Sequence, residues 1–421
     1  MLYEHQRKIL ADDPKKCGLF LGTGGGKTRV ALELAEGSTL VICPKQQKLD
    51  RTWELNAEKF DIIINLKVIS KEEFRRDWEK LPAYDTVIGD EAHTLFGYTT
   101  DTRQKNKIEI PKVSQTYQAV ESYLKKYPPK RLYFCSATPV TKPMHLYAIA
   151  KLFGKEWDYL NFRKAFYFPK KIGFRTMYIP FRDEARKAKM TELVKKFGYT
   201  GQLSDFFDVP DQTHKVVKVD LTPEQVEARK NVMKTEADPF VKRSKIRTIE
   251  NGVMYGKAIK KITDRTERLI DHTTVFPSQK IDYILERAQE FPKMLIFANY
   301  TAQINEISSK LAQNGFKVVK LTGETKDRST LIADADEAPA CIVVAQTAIS
   351  AGYELPTFPC VIFASKSYRY VDYEQALGRV LRANALKKNL YIHLVVRDGI
   401  DETCHQAIMS GQDFQERLMA E

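Results

Sequence analysis

Leu21-Gly22-Thr23-Gly24-Gly25-Gly26-Lys27-Thr28 is the stretch on which the reading of this 421-residue chain turns. It follows the apolar pair Leu19-Phe20 and opens a helical pattern over Arg29–Ala35, so it reads as strand, glycine turn, helix start. Glycines in such a turn let successive backbone N–H groups converge on phosphate oxygens, and the helix N-terminus adds the positive end of its dipole. In that setting Gly22, Thr23, Gly24, Gly25 and Gly26 cradle phosphates, Lys27 reaches the β- and γ-phosphates, and the Thr28 hydroxyl is a ligand for Mg²⁺. The strict spacing of a phosphate loop asks for glycine where Leu21 stands. The four glycines among the five residues before Lys-Thr, in that structural context, carry the reading instead.

Working outward, Asp90-Glu91-Ala92-His93 follows the apolar run Thr86-Val87-Ile88. An acid at the end of a parallel strand points into the crevice where ligands bind. Asp90 suits a Mg²⁺ shell, and Glu91 suits polarisation of an attacking water. The strand candidates Leu40–Cys43, Lys67–Ile69, Thr86–Ile88, Leu132–Cys135, Met294–Phe297, Lys317–Lys320, Cys341–Ala345, Val361–Phe363 and Asn389–Val395 are near-continuous apolar runs. That pattern suits strands covered on both faces of a parallel sheet. Helical patterns such as Asp282–Glu290 and Thr301–Asn314 lie between them. The alternation occurs twice, so the expected fold is α/β with two parallel-sheet domains, residues 1–205 and 206–421. Between the two runs, a basic-aromatic insertion is expected at about 150–205 and a helical, Lys/Arg-rich one at about 222–275.

Composition bounds the function. The chain is 43% hydrophobic and 29% charged, as a globular protein with an ample core should be. No apolar run approaches the roughly 18 residues of a membrane span, so no membrane role is expected. The start, Met1 to Arg7, lacks the pattern of a secretory signal. Six cysteines are scattered with no CxxC pair, which leaves zinc-ribbon, iron–sulfur and thioredoxin-type readings without support. Lys and Arg total 67 against 54 Asp and Glu, a net charge of +13 that points to a polyanionic partner, nucleic acid above all.

Together these motifs resemble those of superfamily 2 helicases and translocases, over nearly the whole chain. Gly26-Lys27-Thr28 and Asp90-Glu91-Ala92-His93 resemble motifs I and II, the latter of the DEAH form. Leu2-Tyr3-Glu4-His5-Gln6 resembles the adenine-reading element, with Gln6 as reader. Leu40-Val41-Ile42-Cys43-Pro44, then Trp53, resembles motif Ia; Ser136-Ala137-Thr138-Pro139, motif III; Leu295-Ile296-Phe297, motif IV. Gly352-Tyr353-Glu354-Leu355 stands in the place of motif V, and Gln375 to Arg382 matches the QxxGRxxR pattern of motif VI. Gln375, Arg379 and Arg382 are spaced to share one helix face, where two arginines suit a γ-phosphate gaining charge. An arginine finger of this kind supplies roughly 10³–10⁵ in rate.

The finer resemblance is to the Swi/Snf-like branch, through Val68-Ile69-Ser70, Val209-Pro210, Thr222-Pro223-Glu224-Gln225, Ser278-Gln279-Lys280-Ile281 and Asp398 to Glu402. Glu354 departs from that branch, which has Asn there, and the Lys-Asn pair that often follows motif II is replaced by Thr94-Leu95. The compactness resembles bacteriophage-encoded DNA helicases. The resemblance implies two RecA-like lobes (a P-loop NTPase) using ATP and Mg²⁺, with Gln6, Lys27, Asp90 and Glu91 from one lobe and Gly352, Glu354, Gln375, Arg379 and Arg382 from the other. His93, Ser136 and Thr138 couple the nucleotide to the nucleic acid. Pro44 and Lys45 contact a DNA backbone. Arg163 and Lys164, in the aromatic-basic stretch 161–182, do the same unless that stretch is simply a core with a wet face. The expected protein is a monomeric cytoplasmic motor (in the host cytoplasm if phage-encoded) on forked, branched or duplex DNA. It either separates strands or moves along duplex and remodels what is bound there. A clamp with a relic ATP site is disfavoured, because Lys27, Glu91 and both arginines are present.

Overall fold

The computed structural model describes residues 2–105, 108–172, 175–181, 183–209, 211–263, 266–347, 354–381 and 388–411. Gly352 and Arg382 lie outside the described residues, as does Pro210. The chain divides into two units, Met1–Asp208 and Val209–Glu421.

The strands of the first unit are β1 (Lys16–Leu21), β2 (Ser38–Cys43), β3 (Asn65–Ser70), β4 (Thr86–Asp90), β5 (Tyr98–Lys105), β6 (Ile108–Val113), β7 (Arg131–Cys135), β8 (Tyr167–Ile172), β9 (Arg175–Pro180) and β10 (Gly198–Gly201). Six of them form one parallel sheet in the order β10-β1-β7-β4-β2-β3. Consecutive residues point to opposite faces, and each face meets its own apolar layer. Leu40, Ile42, Val87, Leu132 and Phe134 join one cluster. Val41, Cys43, Ile88, Tyr133 and Cys135 join the other, with Leu19, Val30 and Trp53. Burial on both faces is why these strands read as continuous apolar runs. Strand β10 escapes such a reading because Gly-Tyr-Thr-Gly has no apolar run. Its glycine is dictated by proximity, since a Cβ on Gly198 would lie 2.0 Å from the carbonyl oxygen of Gly18 on β1.

The second unit repeats the plan. Its strands are β11 (Asp211–Val219), β12 (Val253–Thr263), β13 (Thr266–Val275), β14 (Lys293–Ala298), β15 (Val318–Leu321), β16 (Cys341–Gln346), β17 (Cys360–Phe363) and β18 (Lys388–Val396). The parallel order is β11-β18-β17-β14-β16-β15. Leu295, Phe297, Val343, Val361 and Phe363 face one apolar layer. Met294, Ile296, Ile342, Val344 and Ile362 face the other. The α/β class with two parallel-sheet domains is therefore observed.

Two expectations need correction. The insertion expected to be helical over 222–275 is helical only through Pro223–Thr235 and Pro239–Glu250; β12 and β13 then pair as an antiparallel hairpin. Its residues are rich in β-branched Val, Ile and Thr, which fit a pleated ribbon better than a helix. The motif VI helix is also shorter than expected, Tyr370–Leu377, with Gly378 at its C-cap. Arg379 thus follows the helix instead of riding on its face.

The basic-aromatic insertion comprises a helix, Tyr159–Phe166, the hairpin β8/β9 and a second helix, Glu184–Lys195. A further hairpin, β5/β6, follows the DEAH motif, where the sequence is polar and carries no apolar run. All six cysteines are buried and unbridged. Among the described residues, no helix is long and apolar enough to cross a membrane.

Candidate nucleotide site

In the first unit, β1, β7 and β4 are adjacent, and Leu19 and Asp90 both pair with Cys135. Their carboxyl ends therefore open at one edge, the place where parallel sheets receive ligands. The glycine loop follows β1, Ser136 follows β7, and Glu91 follows β4.

The loop turns through Gly24 (φ 85°) and Gly26 (φ 78°), then the helix Lys27–Leu34 begins. Positive φ at both positions is the glycine requirement of the turn. The Lys27 ammonium donates to the carbonyl oxygens of Leu21 (2.9 Å) and Gly22 (3.2 Å), folding back across the loop. Gly22 N–H donates to Gly201 on β10, so the loop is anchored to the neighbouring strand (2.7 Å).

Gln6 sits on the helix Glu4–Asp12 and is 2% exposed. Its Oε1 accepts from Tyr3 N–H at 3.0 Å. A Cβ on Gly26 would lie 2.0 Å from its amide nitrogen, so Gln6 rests directly on the loop. His5, from the same helix, belongs here too. Its Nε2 is 3.0 Å from the carbonyl oxygen of Gly25, and its ring stacks on Phe206 at 4.0 Å.

Asp90 is buried, and burial together with the adjacent Glu91 carboxylate pushes its acid up to about 6, against the opposing influence of the Glu91 N–H and Lys27. Its Oδ1 accepts from Glu91 N–H (2.8 Å) and its Oδ2 from the indole N–H of Trp53 (3.2 Å). Trp53 is fully buried. Its place in the motif was legible; its hydrogen bond to the acid was not. A buried carboxylate crowded by a second one is stabilised by a cation, and carboxylate and hydroxyl oxygens are the hard ligand types that Mg²⁺ takes beside phosphates. Asp90 and Thr28 thus fit the metal.

Glu91 has φ 45°, which costs a non-glycine residue roughly 1–2 kcal/mol and turns its side chain toward His93. Glu91 Oε2 is 3.4 Å from His93 Nδ1, and the same nitrogen is 3.1 Å from the Ser136 hydroxyl. Ser136 Oγ also accepts from Thr138 N–H at 3.2 Å. Glu91, His93, Ser136 and Thr138 form one connected path from the end of β4 to the loop after β7.

Of the remaining candidates, Pro44 and Lys45 share this edge, because β2 pairs with β4 and Ile42 stands opposite Gly89; the others lie elsewhere in the first unit or in the second. Pro44 and exposed Lys45 follow β2. Lys164 is exposed, but Arg163 is buried, with its guanidinium 4.0 Å from the centre of the Tyr178 ring. Phe162, Phe166 and Tyr167 are core residues of the first unit, so most of that stretch is packing with a wet face. In the second unit, Arg379 is 7% exposed and donates from Nε to the carbonyl of Gln375 (2.8 Å). Its own carbonyl accepts from Leu355 N–H (2.8 Å), which ties the segment after exposed Glu354 to the motif VI turn.

Residues 278–384 match the family described as helicase conserved C-terminal domain. The matched stretch lies within the second unit. No curated protein matches the chain. Among solved structures, the chain is similar to one described as the C-terminal part of the Fun30 ATPase domain. That likeness has 28% identity and a TM-score of 0.29, over 31% of this chain and 45% of that chain, less than half its length.

Proposed function

We propose that the protein is an ATP-dependent DNA helicase or translocase of superfamily 2 that resembles the Swi/Snf-like branch. The observation that carries the reading is the connected edge of the first unit. There the Lys27 loop, the buried Asp90 and the Glu91–His93–Ser136–Thr138 path stand on three adjacent strands. The family match at 278–384 supports the same class.

In this reading Gln6 orients the adenine, and the loop N–H groups from Gly22 to Gly26 receive the phosphates. Lys27 exchanges its two carbonyl partners for phosphate oxygens, which accept a charged donor more strongly than a backbone carbonyl does. Thr28 and Asp90 would hold Mg²⁺, which when bound would supply charge neutralisation to the phosphates. Glu91 orients and polarises the attacking water. A change at Glu91 shifts the balance at His93 Nδ1, which both Glu91 and Ser136 face, and Ser136 reports it to Thr138 and the chain beyond. Gly352, Glu354 and Gln375 contribute to nucleotide binding, and Arg379 and Arg382 stabilise charge on the transferred phosphoryl group.

Lys45, Lys164 and the +13 surface attract the DNA backbone; Pro44 shapes the turn that presents Lys45. Forked or branched DNA is the proposed substrate, with duplex translocation that displaces bound proteins as the second reading, favoured by the Swi/Snf-like elements. The test is nucleotide hydrolysis by Lys27→Ala, Glu91→Gln and Arg382→Ala variants. Each is expected to lose DNA-stimulated turnover, and normal turnover in any of them overturns its assigned role.

A further inference from the structure

Glycine makes the turn after β1 possible and also makes it loose. Gly24, Gly25 and Gly26 carry no side chain, so the peptide between Gly25 and Gly26 can turn over with little steric hindrance. Its orientation matters, because in a trans peptide the C=O of one residue and the N–H of the next point in opposite directions. Among the described residues no peptide bond is cis. Wherever the Gly25 carbonyl points, the Gly26 N–H therefore points the other way. The Gly25 N–H is held by the Gly22 carbonyl at 3.0 Å, which leaves the Gly25 carbonyl to set this peptide. His5 Nε2 stands 3.0 Å from that carbonyl, and a carbonyl only accepts, so Nε2 carries the hydrogen. The imidazole is fixed in its turn. It stacks on Phe206 at 4.0 Å, with the ring planes 19° apart, and meets the edge of Phe207 at 5.8 Å. Phe206 lies over Gly201, where a Cβ would come within 2.2 Å of its Cζ, and Gly201 also receives the Gly22 N–H. One short segment, 201–207, thus grips the loop directly at Gly22 and through His5 at Gly25.

We propose, on the reading of this loop as a phosphate cradle, that His5 is a positioning residue of the nucleotide site: its Nε2–H holds the Gly25 carbonyl and so keeps the Gly26 N–H turned toward the phosphates. A flipped peptide would present a carbonyl oxygen to a phosphate oxygen, and the two repel. Holding one donor ready for an anion strengthens binding about tenfold. The donor serves the phosphates before and during reaction alike, so its loss falls on KM more than on kcat. Gln6 also rests on the loop, at Gly26, but in the proposed function it orients the adenine. A ligand with phosphates and no base therefore tells the two residues apart.

The test measures the affinity of the full chain for ATP and for tripolyphosphate, each by displacement of a fluorescent ATP analogue. His5→Phe keeps a ring on Phe206 and removes the donor, while His5→Gln returns an N–H at a similar reach. His5→Phe is expected to melt like wild type, to weaken both ligands about tenfold, and to raise KM for ATP more than it lowers kcat. His5→Gln is expected to recover most of the loss. Wild-type affinity for tripolyphosphate in His5→Phe overturns the proposal, and so does a loss that His5→Gln leaves unrecovered. Lys27→Ala, measured alongside, separates two kinds of failure. If it too binds both ligands normally, the phosphate-cradle reading has failed; if it is weakened while His5→Phe is not, only the role of His5 has.

Discussion

Lys280 is fully buried at the first turn of the helix Gln279–Glu290, and its ammonium makes three hydrogen bonds. It donates to Asn251 Oδ1 (2.6 Å), to the carbonyl of Ala364 (2.8 Å) and to Asp401 Oδ2 (2.6 Å). One charge therefore ties together the end of the helix Pro239–Glu250, the end of β17 and the helix Ile400–Met409. Burial pushes the Asp401 acid up, but Lys280 and Arg247 outweigh it and hold the carboxyl below its usual range. Replacing Lys280 with Met fills much the same space and removes the cation, leaving Asp401 ionised in a dry site. Breaking one partner of a buried pair costs about 3–5 kcal/mol. The expected loss for the second unit is in that range at neutral pH. It shrinks between pH 7 and pH 5, because protonation relieves the stranded carboxyl in the variant while the wild-type acid, held below its usual range, keeps its benefit until the pH falls below about 4. Removing both charges with Lys280→Met/Asp401→Asn is expected to cost clearly less than Lys280→Met alone. Urea unfolding, followed by circular dichroism at pH 7 and pH 5, reads all three quantities. A Lys280→Met loss below about 1 kcal/mol, or a double variant at least as unstable as the single one, refutes the claim that this ion pair holds the second unit together.

Gly26→Ala places a Cβ against Gln6 and puts alanine in the left-handed region, so a loss of about 1–2 kcal/mol in thermal stability and a raised KM for ATP are expected. Ser136→Ala removes the hydroxyl shared by His93 and Thr138; nucleotide binding is expected to persist while DNA-stimulated hydrolysis falls on the order of tenfold, the equivalent of about one hydrogen bond. In the second unit, burial and the nearby Lys366 charge hold His393 at about 2 and His405 at about 3. Unfolding restores an ordinary imidazole that binds a proton below about pH 6.5, so stability is full above that pH and declines as pH falls toward the folded values, by up to about 1.4 kcal/mol per pH unit for each histidine. His393→Phe, which preserves stacking on Phe363, is expected to flatten that decline in urea titrations between pH 7 and pH 5.

Much of this was legible because both-face burial leaves a plain mark. Val41, Ile88, Leu132 and Val343 had to be apolar whichever way they pointed, so their runs declared the strands. Gln6, the glycine loop and Asp90-Glu91 announced themselves by residue type in a fixed order. What stayed hidden depends on distant partners. Strand β10 is recruited by a close glycine approach to β1, not by hydrophobicity of its own. The hairpin β12/β13 hid because its lysines suit a wet helix face as well as a ribbon and masked the β-branched Val, Ile and Thr between them. Arg163 looked like a phosphate contact until Tyr178, fifteen residues on, took its guanidinium. His5 and Trp53 acquire their partners, Gly25 and Asp90, only once the sheet brings remote loops to one edge.

The central claim, a DNA-driven ATP hydrolase, is tested most directly by steady-state hydrolysis without nucleic acid and then with single-stranded DNA, blunt duplex, forked DNA and RNA at matched phosphate concentration. The account predicts stimulation by DNA, greatest with forks, and its disappearance in Lys27→Ala. Equal stimulation by blunt duplex shifts the assignment to duplex translocation. Turnover that is indifferent to every nucleic acid, or undiminished in Lys27→Ala, contradicts the account.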